Sequence, residues 1–465
     1  MHCVWIYALM LIASTGVAFA QEPDLSGTWL LDTIQLKNGQ TLEGLMLADD
    51  APGDFEFAEV RRPAGKPMYV VIRPIERRDI LRIDPLSADD RSATRQRLRN
   101  FVRRASIEAR QIDQVRLKPS EQSDNEGWQF RGDWFSLDSS ASEPTTRQAA
   151  VRMEQMFAAY RQLLPPLRTP RERLKIKLFG STAEYSQFLR GFGLEIANPA
   201  FFAADFNLVA AGSDVDSFRR QVEATAEQHV AQRTAMEAEL TQLPAHLAAL
   251  LEKLRKAGIA DADRKAIVAA EQRTWQDRKQ QLLTSITQAE RRNALKLDQV
   301  TQEMYARLYH EAFHAYLENY VYPHQEFDVP RWLNEGLALT FEAAQLDGSA
   351  LRVDAPNRRL LLPLQQALRE GSSVRLAEVL TARAEDFLPD HLSADRQAAR
   401  LYQVSWGLAY YLVFQQPVLG SPQFDDFVAP SASKLPPIER FEKLVGKPLD
   451  QFETEWRNAI LKMRP

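Results

Sequence analysis

Residues 309–316 read Tyr309-His310-Glu311-Ala312-Phe313-His314-Ala315-Tyr316, a His-Glu-x-x-His string in a stretch of helical character. On an α-helix, positions four apart differ by only about 40° in direction, so His310 and His314 project side by side and can offer two imidazole nitrogens to one cation. Two nitrogens do not complete a catalytic zinc site, which takes a third protein ligand and keeps one position open for water. A candidate carboxylate follows in Pro330-Arg331-Trp332-Leu333-Asn334-Glu335-Gly336-Leu337-Ala338, on its own helix started by a proline. Glu335 is the expected third ligand. Glu342, seven residues on, returns to nearly the same helical face and is a candidate acceptor for a ligand imidazole N–H, while Asn334 is a candidate for orienting the neighbouring loop.

Just upstream, residues 214–300 carry Phe218, Val222, Met236, Leu240, Leu243, Leu247, Leu250 and Leu254 at helical spacing, a break at Gly258 and Asp261, and a return run through Ile267, Leu282, Ile286 and Leu297. This predicts an inserted helical hairpin, a coiled coil whose arms of roughly 40 residues reach about 60 Å. Pro244 is expected to kink the first arm or end it early. His229 and His246 lie there among polar neighbours and read as solvated. Further upstream, strand-like runs at 128–138, 174–179 and 200–211 alternate with helical runs at 145–164 and 182–190, an α+β layer in front of the metal helix. If the last of these strands forms a sheet edge beside the cleft, an extended peptide can pair with its backbone. Downstream of residue 346 the chain reads as helical, closing in a segment over 421–465.

The chain has 465 residues, more than one core usually holds, and a nearly balanced net charge of −4. No basic run stands out, so nucleic acid is not an expected partner. Residues 1–20 read as a secretory signal peptide, with an apolar Val4-Trp5-Ile6-Tyr7-Ala8-Leu9-Met10-Leu11-Ile12 and an Ala18-Phe19-Ala20 cleavage signal. Its start lacks Lys and Arg, which leaves an uncleaved N-terminal anchor as the alternative. Either way a periplasmic or extracellular location is expected, and no later apolar run is long enough to span a bilayer. Cys3 is the only cysteine, so no disulfide framework is expected.

Residues 21–85 alternate in the manner of short strands and predict a small β-barrel of SH3-like type, with Asn38-Gly39 as a type I′ hairpin turn. Residues 86–125 read as a solvated, arginine-rich helical connector followed by a linker from Pro119 to Gly127.

Three stretches together resemble the gluzincin clan of metallopeptidases, and within it the peptidase-MA-like domains of uncharacterised secreted bacterial proteins. They are His310–Ala315, Pro330–Ala338 and Tyr402-Gln403-Val404-Ser405-Trp406-Gly407-Leu408. The resemblance covers roughly residues 126–420 without the helical hairpin. A metzincin is excluded, because Leu317 and Tyr320 stand where that class needs Gly and His. The resemblance implies a metal between an α+β half and a helical half. His310, His314 and Glu335 would hold zinc, Glu311 would act as general base, and Tyr402 would donate to the oxyanion. The Gly-x-Met-Glu-Asn motif that anchors a free amino terminus in aminopeptidases is absent upstream, so an endopeptidase-like cleft is preferred.

Two functional classes follow. One is an exported zinc-dependent peptide hydrolase acting on peptides or proteins. The alternative is a non-catalytic envelope or assembly protein with a vestigial or structural metal site, binding protein partners through its β-module and helical hairpin.

Overall fold

The computed structural model describes residues 29–463 except 48–54, 62–68, 103, 121–126, 171, 195–197, 343–344, 348–349, 353–355, 388–395 and 417. The expected signal peptide lies outside them, as does His391, whose sequence surroundings read as a loop. The fold is mixed α+β. Five antiparallel strands come first: β1 (Asp32–Leu36), β2 (Thr41–Met46), β3 (Phe55–Arg61), β4 (Tyr69–Ile75) and β5 (Ile80–Asp84), curled into one sheet of order β4-β3-β2-β1-β5. The β1–β2 turn is not type I′. Gly39 alone takes positive φ (86°) and its N–H donates to Leu36 O at 3.0 Å, so Lys37 and Asn38 form an ordinary turn with Gly39 as the left-handed residue after it. The buried Asp32 carboxylate accepts the Met46 and Leu86 N–H groups at 2.9 and 2.7 Å, tying the strand to the exit of the module.

Helices α1 (Ala88–Val102) and α2 (Arg104–Gln114) follow. Part of α1 is not solvated: Leu98 is buried against Trp29, Leu45, Ala58 and Val60 of the sheet. Strand β6 (Lys118–Pro119) then pairs with β7 (Trp128–Arg131), and Ser120 N–H donates to Gly127 O, so the segment expected to be a linker is bounded by strand pairing on both sides.

The second sheet has six strands in the order β10-β11-β9-β8-β7-β6, with β8 (Phe135–Ser139), β9 (Leu174–Phe179), β10 (Ala200–Ala203) and β11 (Leu208–Gly212). Strands β8, β9 and β11 run parallel, and β10 is antiparallel at the edge. The single strand expected over 128–138 is the hairpin β7–β8. Helix α3 (Glu143–Leu163), stopped ahead of Pro165-Pro166, covers one face; α4 (Thr182–Gly191) covers the other. The alternation in β9 shows why. Leu174, Ile176 and Leu178 join the large core with α3, and Phe179 turns to Tyr185 and Phe188 of α4.

Two long helices leave this layer: α5 (Val215–Lys256) and α6 (Asp261–Tyr316), of 42 and 56 residues. Pro244 lies inside α5 without ending it. Gly258, at φ 75°, turns the chain between them. Residues 261–316 contain neither Gly nor Pro, so α6 runs unbroken from the tip of the arm through His310 and His314. The arm therefore does not end at residue 300; its return helix is the metal helix. Within the arm only Met236 and Ile286 are fully buried, and Arg233 pairs with Glu290 across it at 2.8 Å.

A turn of π-helix extends α6, and α7 (Arg331–Glu342) follows, then a short β12–β13 hairpin (Gln345–Asp347, Ala350–Arg352). Helices α8 (Arg358–Glu370), α9 (Leu376–Thr381), α10 (Arg396–Tyr410), α11 (Pro422–Val428), α12 (Pro437–Val445) and α13 (Leu449–Lys462) complete the chain. Residues 421–463 are not an appendage: Phe424, Phe441, Phe452, Trp456 and Ile460 share one continuous core with the second sheet and the metal helix.

Candidate metal centre

The last turns of α6 are buried except where His314 meets the cleft, with Leu308, Ala312, Phe313 and Tyr316 at zero exposure. The Tyr160 hydroxyl of α3 donates to Tyr309 O at 2.6 Å and the Tyr316 hydroxyl to Leu164 O at 2.6 Å, which pins the helix against α3. From this fixed segment His310 and His314 point the same way, with their Nε2 atoms 3.0 Å apart. Helix α7 brings Glu335 to them: Oε2 lies 3.3 Å from His310 Nε2 and Oε1 3.6 Å from His314 Nε2. Three donors at roughly 2.0–2.2 Å from one tetrahedral ion stand about 3.3 Å from each other; taking one ligand atom from each residue, the three lie within 4.8 Å of one another.

The outer ring nitrogens each stand beside a side-chain oxygen. His310 Nδ1 lies 3.0 Å from Glu342 Oε1, and His314 Nδ1 lies 2.8 Å from Asn334 Oδ1. In the tautomer that protonates each Nδ1 toward its neighbouring oxygen, both Nε2 lone pairs face inward beside a carboxylate, an arrangement that suits a cation. Neither Glu335 oxygen has a hydrogen-bond donor aligned on it among the described residues, although Arg331 Nη2 makes an ion-pair contact 2.8 Å from Oε1. Among those residues His310, His314 and Glu335 are the group of this kind able to hold a metal.

The ionisable groups of the centre shift one another strongly. Burial works against charge on His310, but its contacts with Glu335 and Glu342 outweigh burial and push it up to about 10. Burial draws His314 down to about 4. Burial also raises Glu335, yet the charges of the two histidines and Arg331 hold it well below the usual carboxylate range. Glu311, buried, is pushed up to about 7, mainly by desolvation and against the charge of His310. Glu311 accepts from Asn198 Nδ2 at 3.4 Å and from the backbone N–H of Phe202 in β10.

Glu311, His314, Glu335, Asn334 and Tyr402 line one cleft of about 520 Å³, whose opposite wall is β10 with Ala200, Phe201 and Phe202. Tyr402 lies inside α10, packs edge-on against Phe387 at 5.4 Å, and has its hydroxyl pKa raised by burial and then by Glu335. Gly336 lets this happen. A Cβ there would come 2.3 Å from Ser405 O and 2.7 Å from Ala409, so α7 and α10 touch through it. His324 also lines the cleft, its Nδ1 2.7 Å from Glu318. His229 and His246 stay in the arm, beside Glu290 and Glu271.

Sequence reasoning missed Asn198, the Phe202 N–H, and the roles of Arg331 and Arg307, the last 3.3 Å from Glu342. Arg331 was within reach, since a cation four residues before a buried glutamate on one helix faces it. Asn198 carries no local pattern.

No helix among the described residues is long and apolar enough to cross a membrane. No curated protein and no solved structure matches the chain. Residues 304–434, which hold all three converging donors as well as Glu311, Glu342 and Tyr402, match a family described as "Protein of unknown function (DUF1570)".

Proposed function

We propose that this protein is an exported zinc-dependent peptide hydrolase of gluzincin type, preferring internal peptide bonds. The observation that carries the proposal is the convergence of His310, His314 and Glu335 with the Glu311 carboxylate opening into the same cleft. A structural metal site has no need of a buried acid next to its first ligand. The gluzincin assignment is further supported by a sheet edge on one wall of that cleft and helices on the other. The SH3-like reading of the N-terminal module is supported by its sequential antiparallel strands, with the last returning to pair with the first.

Zinc, held by His310, His314 and Glu335, would supply Lewis acidity that brings the pKa of water toward neutrality. The remaining work belongs to the chain. Glu311, steadied by Asn198 and the Phe202 N–H, takes a proton from the attacking water as its oxygen bonds to the carbonyl carbon. It then delivers that proton to the nitrogen as the C–N bond breaks. Tyr402 donates to the developing oxyanion. Glu342 and Asn334 hold the two imidazoles in register. Strand β10, at the sheet edge, offers its backbone to an extended peptide.

The size of the α5–α6 arm favours a second reading, a non-catalytic envelope or assembly protein that binds partners through it. One experiment separates the two. Metal content is measured on the mature protein, and cleavage of a mixed peptide set is followed with and without chelator for wild type and Glu311→Gln. The hydrolase reading expects turnover in the variant at least ~10²-fold lower, with zinc content and melting near wild type. Equal cleavage by both proteins overturns the role of Glu311; bound zinc with no cleavage by either favours the assembly reading.

A further inference from the structure

Two exposed large apolar side chains lie together beside β10: Phe192 (37% exposed) and Phe206 (57%). They form the rim of an aromatic row. Phe188 and Phe192 have ring centroids 4.9 Å apart, Phe192 and Phe206 5.2 Å, and Phe192 and Phe201 6.3 Å. The row joins the end of α4 to β10 and to the turn between β10 and β11.

The backbone of β10 shows what this row would meet. Gly212 N–H donates to Pro199 O, and the pairing continues as Ala200 with Ala211 and Phe201 with Ala210. In an antiparallel ladder, alternate residues bond inward, so Phe201 and Ala203 turn their N–H and C=O to β11, while those of Ala200 and Phe202 turn outward. The contact of the Phe202 N–H with Glu311 agrees with that assignment and takes that donor, so a strand added here pairs through the Ala200 N–H and the Ala200 and Phe202 carbonyls. A strand laid along this edge has side chains of period two. Every second one faces the α6 side, where the cleft and Glu311 lie, and those between face the α4 side, where the row stands.

We infer that the ledge formed by Phe192, Phe201 and Phe206 receives bulky apolar side chains at alternate positions of an extended polypeptide paired with β10, and so selects strand-like, apolar substrates. The inference rests on β10 as the substrate-binding edge of the proposed hydrolase. The occupant must be extended, because only a strand offers alternate side chains to the two faces. It must be apolar, because Phe192 and Phe206 leave aromatic surface to cover.

The test uses the zinc-loaded full mature chain carrying Glu311→Gln, so that binding is read without cleavage. Two fluorescent octapeptides are compared by anisotropy, one alternating Phe with Thr and one with every Phe replaced by Ser. The first is expected to bind about tenfold or more tightly, since each aromatic ring covered is worth at least a factor of that order. Adding Phe206→Ser or Phe192→Ser should bring its affinity down to that of the Ser peptide, and Phe206→Leu should restore most of it. N-methylation of alternate backbone nitrogens in the Phe peptide should abolish binding. Equal affinity for both peptides, or a preference untouched by the Phe206 and Phe192 variants, overturns the inference. Cleavage by the wild-type chain is scored separately. Absence of cleavage with the preference intact rejects the hydrolase and leaves the ledge supported.

Discussion

At the scale of single residues, the centre is held by side chains that each do two things. His310 and His314 turn one nitrogen to the site and the other to Glu342 and Asn334, so the imidazoles cannot rotate without losing a partner. This was partly legible in the sequence, because spacing of four puts the histidines on one face and spacing of seven returns Glu342 to the face of Glu335. Asn198 was not legible. It reaches Glu311 across 113 positions through tertiary packing alone, which leaves no periodic trace. Another acid escaped for the same reason. Glu154 of α3 packs over Gly132, where a Cβ would lie 2.1 Å from its Oε1, and burial followed by the charge of Asp133 pushes it from 4.5 up to about 7, against Arg161. A carboxyl whose pKa is raised by folding contributes stability below its unfolded pKa and loses it as pH rises through the folded one. Glu154→Gln is therefore expected to raise stability by about 1–3 kcal/mol at pH 8 and to change it little at pH 4. Urea melts at the two pH values check this, and an equal offset at both would show that the effect is not titration.

At the scale of elements, α6 decides the architecture. Composition made both arms of the hairpin legible, but not the absence of a boundary between the return arm and the metal helix. Apolar spacing locates a helix and is silent about where one unit hands over to the next. Pro244 shows the complementary limit: a proline inside a long amphipathic run did not end it. The Asn38-Gly39 turn shows a third. The hairpin formed where expected, but with only the glycine in the left-handed region, because the loop holds one more residue than a type I′ turn. Two predictions belong here. The arm leaves the core at the buried Val215 and rejoins it near Met304, so replacing residues 222–292 by a short Gly-Ser loop should keep metal binding and a cooperative melt. Loss of either would make the arm part of the core. Gly336→Ala, by contrast, drives a methyl into Ser405 O and Ala409 at the α7–α10 contact, where overpacking costs about 1–3 kcal/mol and moves Glu335 with the helix. Metal titration should show weakened affinity as well as a lower melting temperature; unchanged affinity would mean that α7 yields without shifting its ligand.

At the scale of the molecule, the core ignores the divisions that composition suggested. Sequence alone sets residues 421–465 apart as a closing helical segment. Yet α13 is wired to the helices before it: Trp456 Nε1 donates to Gly407 O at 3.1 Å, and Gln365 Nε2 donates to Ile460 O at 2.8 Å. Arg440 of α12, itself buried, donates to Asp328 Oδ2 at 2.7 Å and to Phe427 O at 2.7 Å. Asp328 lines the cleft, so the last helices brace the loop that leads from the metal helix into α7. Removing residues 421–465 strips Phe424, Phe441, Phe452, Trp456 and Ile460 from the common core at once. Each large buried side chain lost costs about 2–5 kcal/mol, and a domain of this kind has only about 5–15 kcal/mol in hand. The truncated chain should therefore lose its cooperative thermal transition and its metal together. A chain ending at residue 420 that still melts cooperatively and retains its metal would show that the C-terminal helices are a separate unit.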